Sequence, residues 1–108
     1  MTVEKLSEAI GLEVISLPHP EREITDVYIG DLLSWVMGRA MAGNAWITIM
    51  SNVNVLAVAS LAELSCIILA EGVTLDEETV SVAKEKEINI LSSSLSTYET
   101  AKKIFPLI

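Results

Sequence analysis

The sequence predicts an α/β fold, with three layers in the order α/β/α around a mostly parallel sheet of four to five strands. Three observations indicate this class. Residues 40–62 carry no charge although they include Asn44, Asn52 and Asn54, which is typical of buried strands with polar ends. From Ile24 onward, strand-like and helical segments alternate, and each apolar strand is followed by small, polar or acidic residues. That alternation predicts parallel strands with helices on both faces. At 108 residues, we expect a single domain spanning 1–108.

The N-terminal segment is predicted to form a short helix followed by a strand. Thr2 can cap the helix and Gly11 is placed to end it. The apolar positions of this helix are Val3, Leu6 and Ile10. A loose alternation from Leu12 to Leu17 then favours a strand.

A turn separates these elements from the rest of the chain. The run Pro18-His19-Pro20 is incompatible with regular structure. Residues 24–29 are rich in β-branched side chains and predict the next strand. Asp31 can then cap a helix that runs from Leu32 to about Met41.

The middle of the chain predicts two strands on either side of a helix. Ala45 to Met50 and Cys66 to Ala70 are short apolar runs with strand character. Between them, the alanines and leucines of Asn54 to Leu64 favour a helix after a short loop.

The C-terminal third carries two capping-box patterns. Thr74 and Glu77 have the required spacing at the start of one helix, and Ser96 and Glu99 have it at the start of another. A strand from Ile88 to Leu91 lies between these helices, and Pro106 is expected to end the last one.

Composition and charge exclude several classes of function. The net charge is −8, from 15 acidic against 7 basic residues, and Lys102-Lys103 is the only basic pair. Nucleic-acid binding relies on clustered Lys and Arg, so we predict no nucleic-acid partner. We also predict no membrane partner, because Ser51, Asn52 and Asn54 near the middle of the uncharged stretch would lack partners in a bilayer. The N-terminus has no signal-peptide pattern, which favours a cytoplasmic protein.

The four predicted strand ends define a candidate ligand site, since ligands of open parallel sheets bind beyond the carboxyl ends of the strands. The candidate residues are Asp31, Asn52, Asn54, Glu71, Gly72, Ser92, Ser93 and Ser94. If the sheet is parallel, they meet at one edge. The amides of Asn52 and Asn54 need partners, which can be a ligand or the backbone.

The helix after Gly30 carries a candidate interface. On a helical wheel, one half is apolar and consists of Leu32, Leu33, Val36, Met37, Ala40 and Met41. The candidate interface residues lie on the other half and are Ser34, Trp35, Gly38 and Arg39. A large aromatic beside a glycine on an outward face suggests self-association. Alternatively, Trp35 lies flat on the surface of its own domain. Trp46, at the start of a strand, is predicted to be part of the core.

No catalytic or metal site is predicted. His19 is the only histidine and lies between two prolines, and Cys66, the only cysteine, lies in an apolar run where a small buried residue is expected. These two residues do not make a metal site or a nucleophile–base pair. The sequence also contains no phosphate loop and no dinucleotide fingerprint. We therefore expect no cofactor, no metal and no enzyme activity.

The central segments resemble the DRTGG domain family. The resemblance rests on GDLLSWVMG at 30–38, AWITI at 45–49 and NVLAVASL at 54–61. Residues from 66 to 94 are more distantly similar to the N-terminal domain of HPr kinase/phosphorylase. The resemblance implies an α/β domain, usually dimeric, that accompanies regulatory or catalytic modules and is not itself catalytic. It also implies a weak link to an iron-hydrogenase system, because small stand-alone members are encoded near iron-hydrogenase genes.

The chain departs from the motif that gives the family its name. Ser51-Asn52 stands where an Asp-Arg pair is expected, and Ala70-Glu71-Gly72 stands where Thr-Gly-Gly is expected. Two functions follow as hypotheses. The first is a non-catalytic regulatory or interaction domain that forms a homodimer and can sense a small ligand. The second is a small-molecule binder that holds a nucleotide or phosphorylated metabolite at the strand ends, where helix N-termini favour anions.

Overall fold

A computed structural model describes all of residues 1–108, which form five helices, five strands and a final 3-10 turn. In chain order, the elements are α1 (Val3–Ile10), β1 (Glu13–Ser16), β2 (Val27–Ile29), α2 (Leu33–Arg39), β3 (Ala45–Thr48), α3 (Asn54–Leu61), β4 (Cys66–Leu69), α4 (Glu77–Glu85), β5 (Ile90–Ser92), α5 (Thr97–Ile104) and the 3-10 turn (Phe105–Leu107). The predicted order of helices and strands is confirmed, although all five strands are shorter than predicted.

The five strands form one sheet in the order β1-β5-β4-β3-β2. Strands β2 to β5 are parallel to one another, and β1 runs antiparallel to β5 at one edge. The predicted α/β class with a mostly parallel sheet is therefore confirmed. Strands β2 to β5 follow one another across the sheet in a single direction, so their order never reverses. Doubly wound sheets bind ligands in a deep crevice at the point where the strand order reverses. Strands β2 to β5 contain no such point.

Two apolar clusters hold the three layers together, one on each face of the sheet. On the first face, Val36 of α2, Leu56 of α3 and Ala83 of α4 pack against Trp46 and Ile67 of the sheet. We call this side the α2–α4 face. On the second face, residues of α1 and α5 pack against the other side of the strands, and we call it the α1/α5 face. Its buried members include Val3, Leu6, Ile47, Ile68 and Ile104. The predicted burial of Trp46 and Cys66 is confirmed.

The N-terminal helix begins and ends as the sequence predicts. The Thr2 side chain accepts a hydrogen bond from Lys5 N–H, and Gly11 ends the helix in the left-handed region with φ 69°. An ion pair of 3.1 Å joins the Met1 amino group to Glu23. The backbone of Ile24 also donates to Met1 O. These contacts attach α1 to the segment that precedes β2.

Of the other three predicted caps, one is confirmed and two are wrong. Ser96 caps α5, since its hydroxyl accepts from Glu99 N–H. The Thr74–Glu77 box is wrong, because α4 begins later and Asp76 is its cap, accepting from Thr79 N–H at 2.7 Å. Asp31 is likewise wrong as a cap of α2, because Leu32 holds that position and no side chain caps the helix.

Candidate functional site

The ends of β2, β3, β4 and β5 lie at one edge of the sheet, which we call the rim. Hydrogen bonds join adjacent strand ends. Asp31 accepts from the Thr48 hydroxyl at 2.8 Å and from Ile49 N–H at 3.0 Å. Gly72 N–H donates to Ser93 O at 2.9 Å. The four predicted loops therefore meet, and they are attached to one another by the protein's own polar groups.

One recess at the rim lies between the starts of α3 and α4. Its volume is about 320 Å³, and its lining residues are Ser51, Asn52, Val53, Asp76, Glu78, Thr79 and Val82. Asn52 is a sequence-predicted candidate that reaches this recess. Its side-chain oxygen accepts from Asn54 N–H at 2.9 Å, so the amide nitrogen is the part that remains available to a ligand.

A second recess lies beside the end of β5. Its volume is about 390 Å³, and its lining residues are Gly11, Glu13, Gly72, Thr74, Ser92 and Ser94. Three predicted candidates, Gly72, Ser92 and Ser94, meet here. The two recesses share no residue, so the rim offers two separate places for a ligand.

Four predicted candidates line neither recess: Asp31, Asn54, Glu71 and Ser93. Ser93 is buried, and its hydroxyl lies 2.8 Å from that of Thr100. Glu71 accepts from Thr97 N–H at 2.9 Å at the start of α5. The contacts of Asp31, Glu71 and Ser93 stabilise the rim itself.

The electrostatics of the rim oppose a bare phosphate. Neither recess is lined by a Lys or an Arg, whereas Glu13, Asp76 and Glu78 each contribute a carboxylate. The hydrogen bond from the Thr79 backbone N–H lowers the pKa of Asp76, so its carboxylate is ionised at neutral pH. Helix N-termini favour anions, but at α4 and α5 the protein's own carboxylates already occupy part of that position.

The exposed side of α2 is more apolar than the sequence predicts. Only Val36 of this helix is buried, whereas Leu32, Met37 and Met41 are exposed, Met41 to 69%. The sequence places these residues on the apolar half of a helix from Leu32 to about Met41, the half expected to face the core, and this expectation is wrong. Leu32 and Met41 lie outside the helix, which spans only Leu33–Arg39, and the helix is next to the edge strand β2.

Trp35 lies on this exposed side together with the other candidate interface residues. Its side chain is 52% exposed, and the guanidinium carbon of Arg39 lies 3.7 Å from the centre of its ring. Nothing within 4 Å of Gly38 would contact an added side chain, so the surface beside Trp35 is open. We call Leu32, Trp35, Gly38 and Arg39 the α2 surface.

A groove that the sequence did not predict lies beside the edge strand β2, on the α1/α5 face of the sheet. Its volume is about 480 Å³, and it is lined by Asp26, Val27, Ile29, Ala101, Phe105 and Ile108. Phe105 is 83% exposed beside it. The sequence signal that could have indicated this groove is Phe105, a large aromatic residue directly before Pro106, at a position where the last helix has already ended.

Other kinds of site are not assembled in the structure. No group of three His, Cys, Asp or Glu side chains has a geometry that could hold a metal ion. None of the helices combines the length and the apolar character needed to span a bilayer.

The fold and the polar rim define the molecule as a small three-layer α/β domain with a mostly parallel sheet. The model of the DRTGG domain family matches residues 5–106, so the chain belongs to that family. The predicted resemblance is confirmed, and it extends further toward the N-terminus than the residues that suggested it.

A solved structure supports the fold. The chain is similar to the regulatory region of Clostridium perfringens pyrophosphatase, which contains CBS and DRTGG domains and was solved with its activator, diadenosine tetraphosphate. The TM-score is 0.73 at 14% sequence identity, covering 95% of this chain and 45% of the other. The chain thus spans less than half the length of that neighbour. No curated protein matches the chain by sequence.

Proposed function

We propose that the protein is a non-catalytic regulatory domain that acts as a homodimer through the α2 surface. The observation that carries this proposal is the exposure of Leu32 and Trp35, which lie three positions apart at the start of α2. Large apolar side chains rarely cluster on a monomer's surface without a role. Tryptophan and arginine are also the residues that most often dominate binding energy at interfaces.

The contact between Trp35 and Arg39 favours an interface over a purely structural role. Stacking orients the indole and removes part of the guanidinium from water without burying either group. A ring held in one orientation loses little conformational freedom when a partner covers it. Gly38 adds no side-chain bulk beside it, so a second helix can approach closely.

Two side chains of the kinds that serve as nucleophiles in other proteins are buried here, which supports a non-catalytic domain. Burial raises the pKa of the Cys66 thiol to about 12, so it is not a nucleophile at neutral pH. The Ser93 hydroxyl is buried against Thr100. The regulatory setting of the structural neighbour agrees with this reading. The link to an iron-hydrogenase system stays a prediction.

Sedimentation analysis at micromolar concentration tests the homodimer. We expect a dimer for the wild type and at least a tenfold weaker association for Trp35→Ala, because loss of an interface anchor typically has effects of this size. The control is Leu61→Ala, which removes an apolar side chain at the end of α3 that is even more exposed, 72% against 52% for Trp35. A wild-type monomer, or equal effects of the two substitutions, would contradict the α2 surface.

A second candidate function is the binding of a nucleotide or phosphorylated metabolite at the rim. It is favoured by the recess between α3 and α4, where Asn52 and Thr79 can form hydrogen bonds to a ligand. The carboxylates of Asp76 and Glu78 require groups that donate hydrogen bonds. We therefore propose that a base or ribose would face these carboxylates, with the phosphates directed away from the recess.

Thermal unfolding with and without adenine nucleotides tests this second function. Adenosine, AMP and diadenosine tetraphosphate separate the contribution of the nucleoside from that of the phosphates. A ligand at 100 times its dissociation constant stabilises the protein by about 2.7 kcal/mol. Glu78→Gln should change the shift, whereas Glu85→Gln at the other end of α4 should not. If no compound raises the unfolding temperature, the rim does not bind nucleotides.

A further inference from the structure

Strand β2 is an edge strand whose outer side has no partner. It pairs only with β3, in a parallel register that places Tyr28 beside Trp46. Asp26 O accepts from Ala45 N–H and Gly30 N–H donates to Ile47 O, so the even-numbered residues direct their backbone groups toward β3. The backbone groups of Val27 and Ile29 therefore point away from the sheet. Unpaired edges of this kind are templates for another strand.

Apolar surface flanks this edge on both faces of the sheet. On the α1/α5 face lies the groove of about 480 Å³, whose lining is apolar except for Asp26. On the α2–α4 face lies the α2 surface, with Leu32 and Trp35 exposed. A stable interface buries roughly 800 Å² on each partner, which a strand of three residues does not provide alone. The apolar residues on both sides of β2 supply the remainder.

We propose that a second copy of this chain pairs its β2 with this β2 in an antiparallel manner, centred on Tyr28, which creates a continuous ten-stranded sheet. This inference rests on the proposed homodimer and specifies its geometry. The twofold axis is perpendicular to the sheet, so the two α2 surfaces meet on one face. On the other face, Phe105 of each copy extends toward the groove of the other.

The second copy is the favoured occupant because the edge is complementary to itself. Antiparallel pairing about Tyr28 places Val27 opposite Ile29 of the second copy, on the groove face. Each Val27–Ile29 pair exchanges two backbone hydrogen bonds. The two Asp26 side chains lie four positions apart along the strand, about 13 Å at the rise of a strand. This separation exceeds the screening length of about 8 Å at physiological salt.

Asp26 limits the strength of this pairing. Its carboxylate accepts from Val27 N–H at 2.8 Å and so competes with the carbonyl of Ile29 in the second copy. In the proposed register, Asp26 also comes near Asp31 of the second copy, and both side chains are acidic. We therefore expect the dimer to tighten when salt is raised or when Asp26 is replaced by alanine.

Three substitutions test the geometry by sedimentation and cross-linking. Ile29→Pro removes an outward N–H that β3 does not use, and Pro is tolerated at such edge positions. Ile29→Ala keeps that N–H and is its matched control. We expect Ile29→Pro to weaken association at least about tenfold more than Ile29→Ala, since two intermolecular hydrogen bonds are lost. We expect Asp26→Ala to tighten it by about tenfold.

Tyr28→Cys tests the register. Residue 28 faces its own copy in a non-hydrogen-bonded pair with a Cα separation of about 4.5 Å, which a disulfide can span. Oxidation should give a covalent dimer, whereas the wild type, whose one cysteine is buried, should not form one. Circular dichroism establishes that the variant is folded, and if it is not, the Ile29 and Asp26 variants decide.

The outcomes separate this inference from the proposed function. A wild-type dimer that Trp35→Ala dissociates, but that the Ile29 and Asp26 substitutions leave unchanged, would keep the α2 surface and overturn the β2 pairing. A dimer that Ile29→Pro dissociates and Trp35→Ala leaves intact would support the β2 pairing without the α2 surface. A wild type that stays monomeric at every salt concentration would overturn both.

Discussion

The carboxylate of Asp31 lies 2.8 Å from the hydroxyl of Thr48, and the two side chains join the end of β2 to the end of β3. The same carboxylate oxygen accepts from Ile49 N–H at 3.0 Å. Thr48 is buried, and its hydroxyl also accepts from Met50 N–H at 3.1 Å, so Asp31 is the acceptor for the proton that this hydroxyl donates. A residue that the sequence suggests as a ligand contact or a helix cap thus serves to fix the rim.

We expect Asp31→Ala to lower the free energy of unfolding by about 1–3 kcal/mol, because a buried hydroxyl and a backbone N–H lose their acceptor. Asp31→Asn keeps a side-chain oxygen and should cost less. Urea denaturation of the two variants beside the wild type measures the difference. If Asp31→Ala is as stable as the wild type, Asp31 is available for a ligand after all.

The acid stability of the protein should depend on Asp76. The Thr79 backbone N–H lowers the pKa of Asp76 in the folded protein, so its stabilising contribution is present above the unfolded pKa of about 3.9 and is lost as pH falls below it. Asp76→Asn keeps an N-cap oxygen but does not titrate. We expect its stability to fall less steeply than that of the wild type between pH 5 and pH 2, in denaturant titrations at each pH.

The control for Asp76 is Glu77→Gln, which removes a charge from the same turn of α4 but no capping hydrogen bond. Its acid-induced loss of stability should stay close to that of the wild type. Parallel pH profiles for the wild type and Asp76→Asn would show that the cap does not contribute to acid sensitivity.

The alternation of helices and strands could be predicted because local signals determine it. Gly11 ends α1 where its left-handed conformation is required, and Ser96 begins α5 with the expected hydrogen bond. The apolar runs of β3 and β4 are buried on both faces, as the absence of charge predicts. These signals need no knowledge of the partner elements.

The remaining features depend on tertiary partners that a sequence does not show. Asp31 accepts a hydrogen bond from Thr48 of the neighbouring strand β3 and does not cap the adjacent helix α2. Met41 belongs to the apolar stripe of the predicted helix, but α2 ends at Arg39, so Met41 lies in the loop before β3. Glu71 adopts a left-handed φ of 62°, at a position where the family motif places a glycine, which favours that region. Its carboxylate then reaches Thr97 N–H, a contact that only the folded chain reveals.

The stability at high pH should depend on Cys66. Burial raises the pKa of its thiol to about 12, above the unfolded value of about 8.5. A group with a raised pKa contributes stability below its unfolded pKa, and that contribution is lost as pH rises toward the folded value. We therefore expect the wild type to lose more stability than Cys66→Ala between pH 8.5 and pH 12.

Thermal unfolding of both proteins across this pH range gives the measurement. Tyr and Lys side chains also titrate there, so the informative quantity is the difference between the two profiles. Cys66→Ala should be less stable at neutral pH because it leaves a small cavity. A constant difference at all pH values would contradict a buried, protonated thiol.

The buried side chain of Asn89 attaches the Pro18-His19-Pro20 turn to the sheet. Its oxygen accepts from His19 N–H at 2.9 Å, and its nitrogen donates to His19 O at 2.8 Å and to Ser65 O at 3.0 Å. Asn89→Ala leaves these three backbone groups without their partner, and we expect a loss of about 2–4 kcal/mol. His19→Ala is the matched control, because Asn89 forms hydrogen bonds only with the backbone of His19. This substitution should change the free energy of unfolding by less than about 0.5 kcal/mol. Equal denaturation midpoints for Asn89→Ala and the wild type would show that water replaces the amide, and that the turn is held by other contacts.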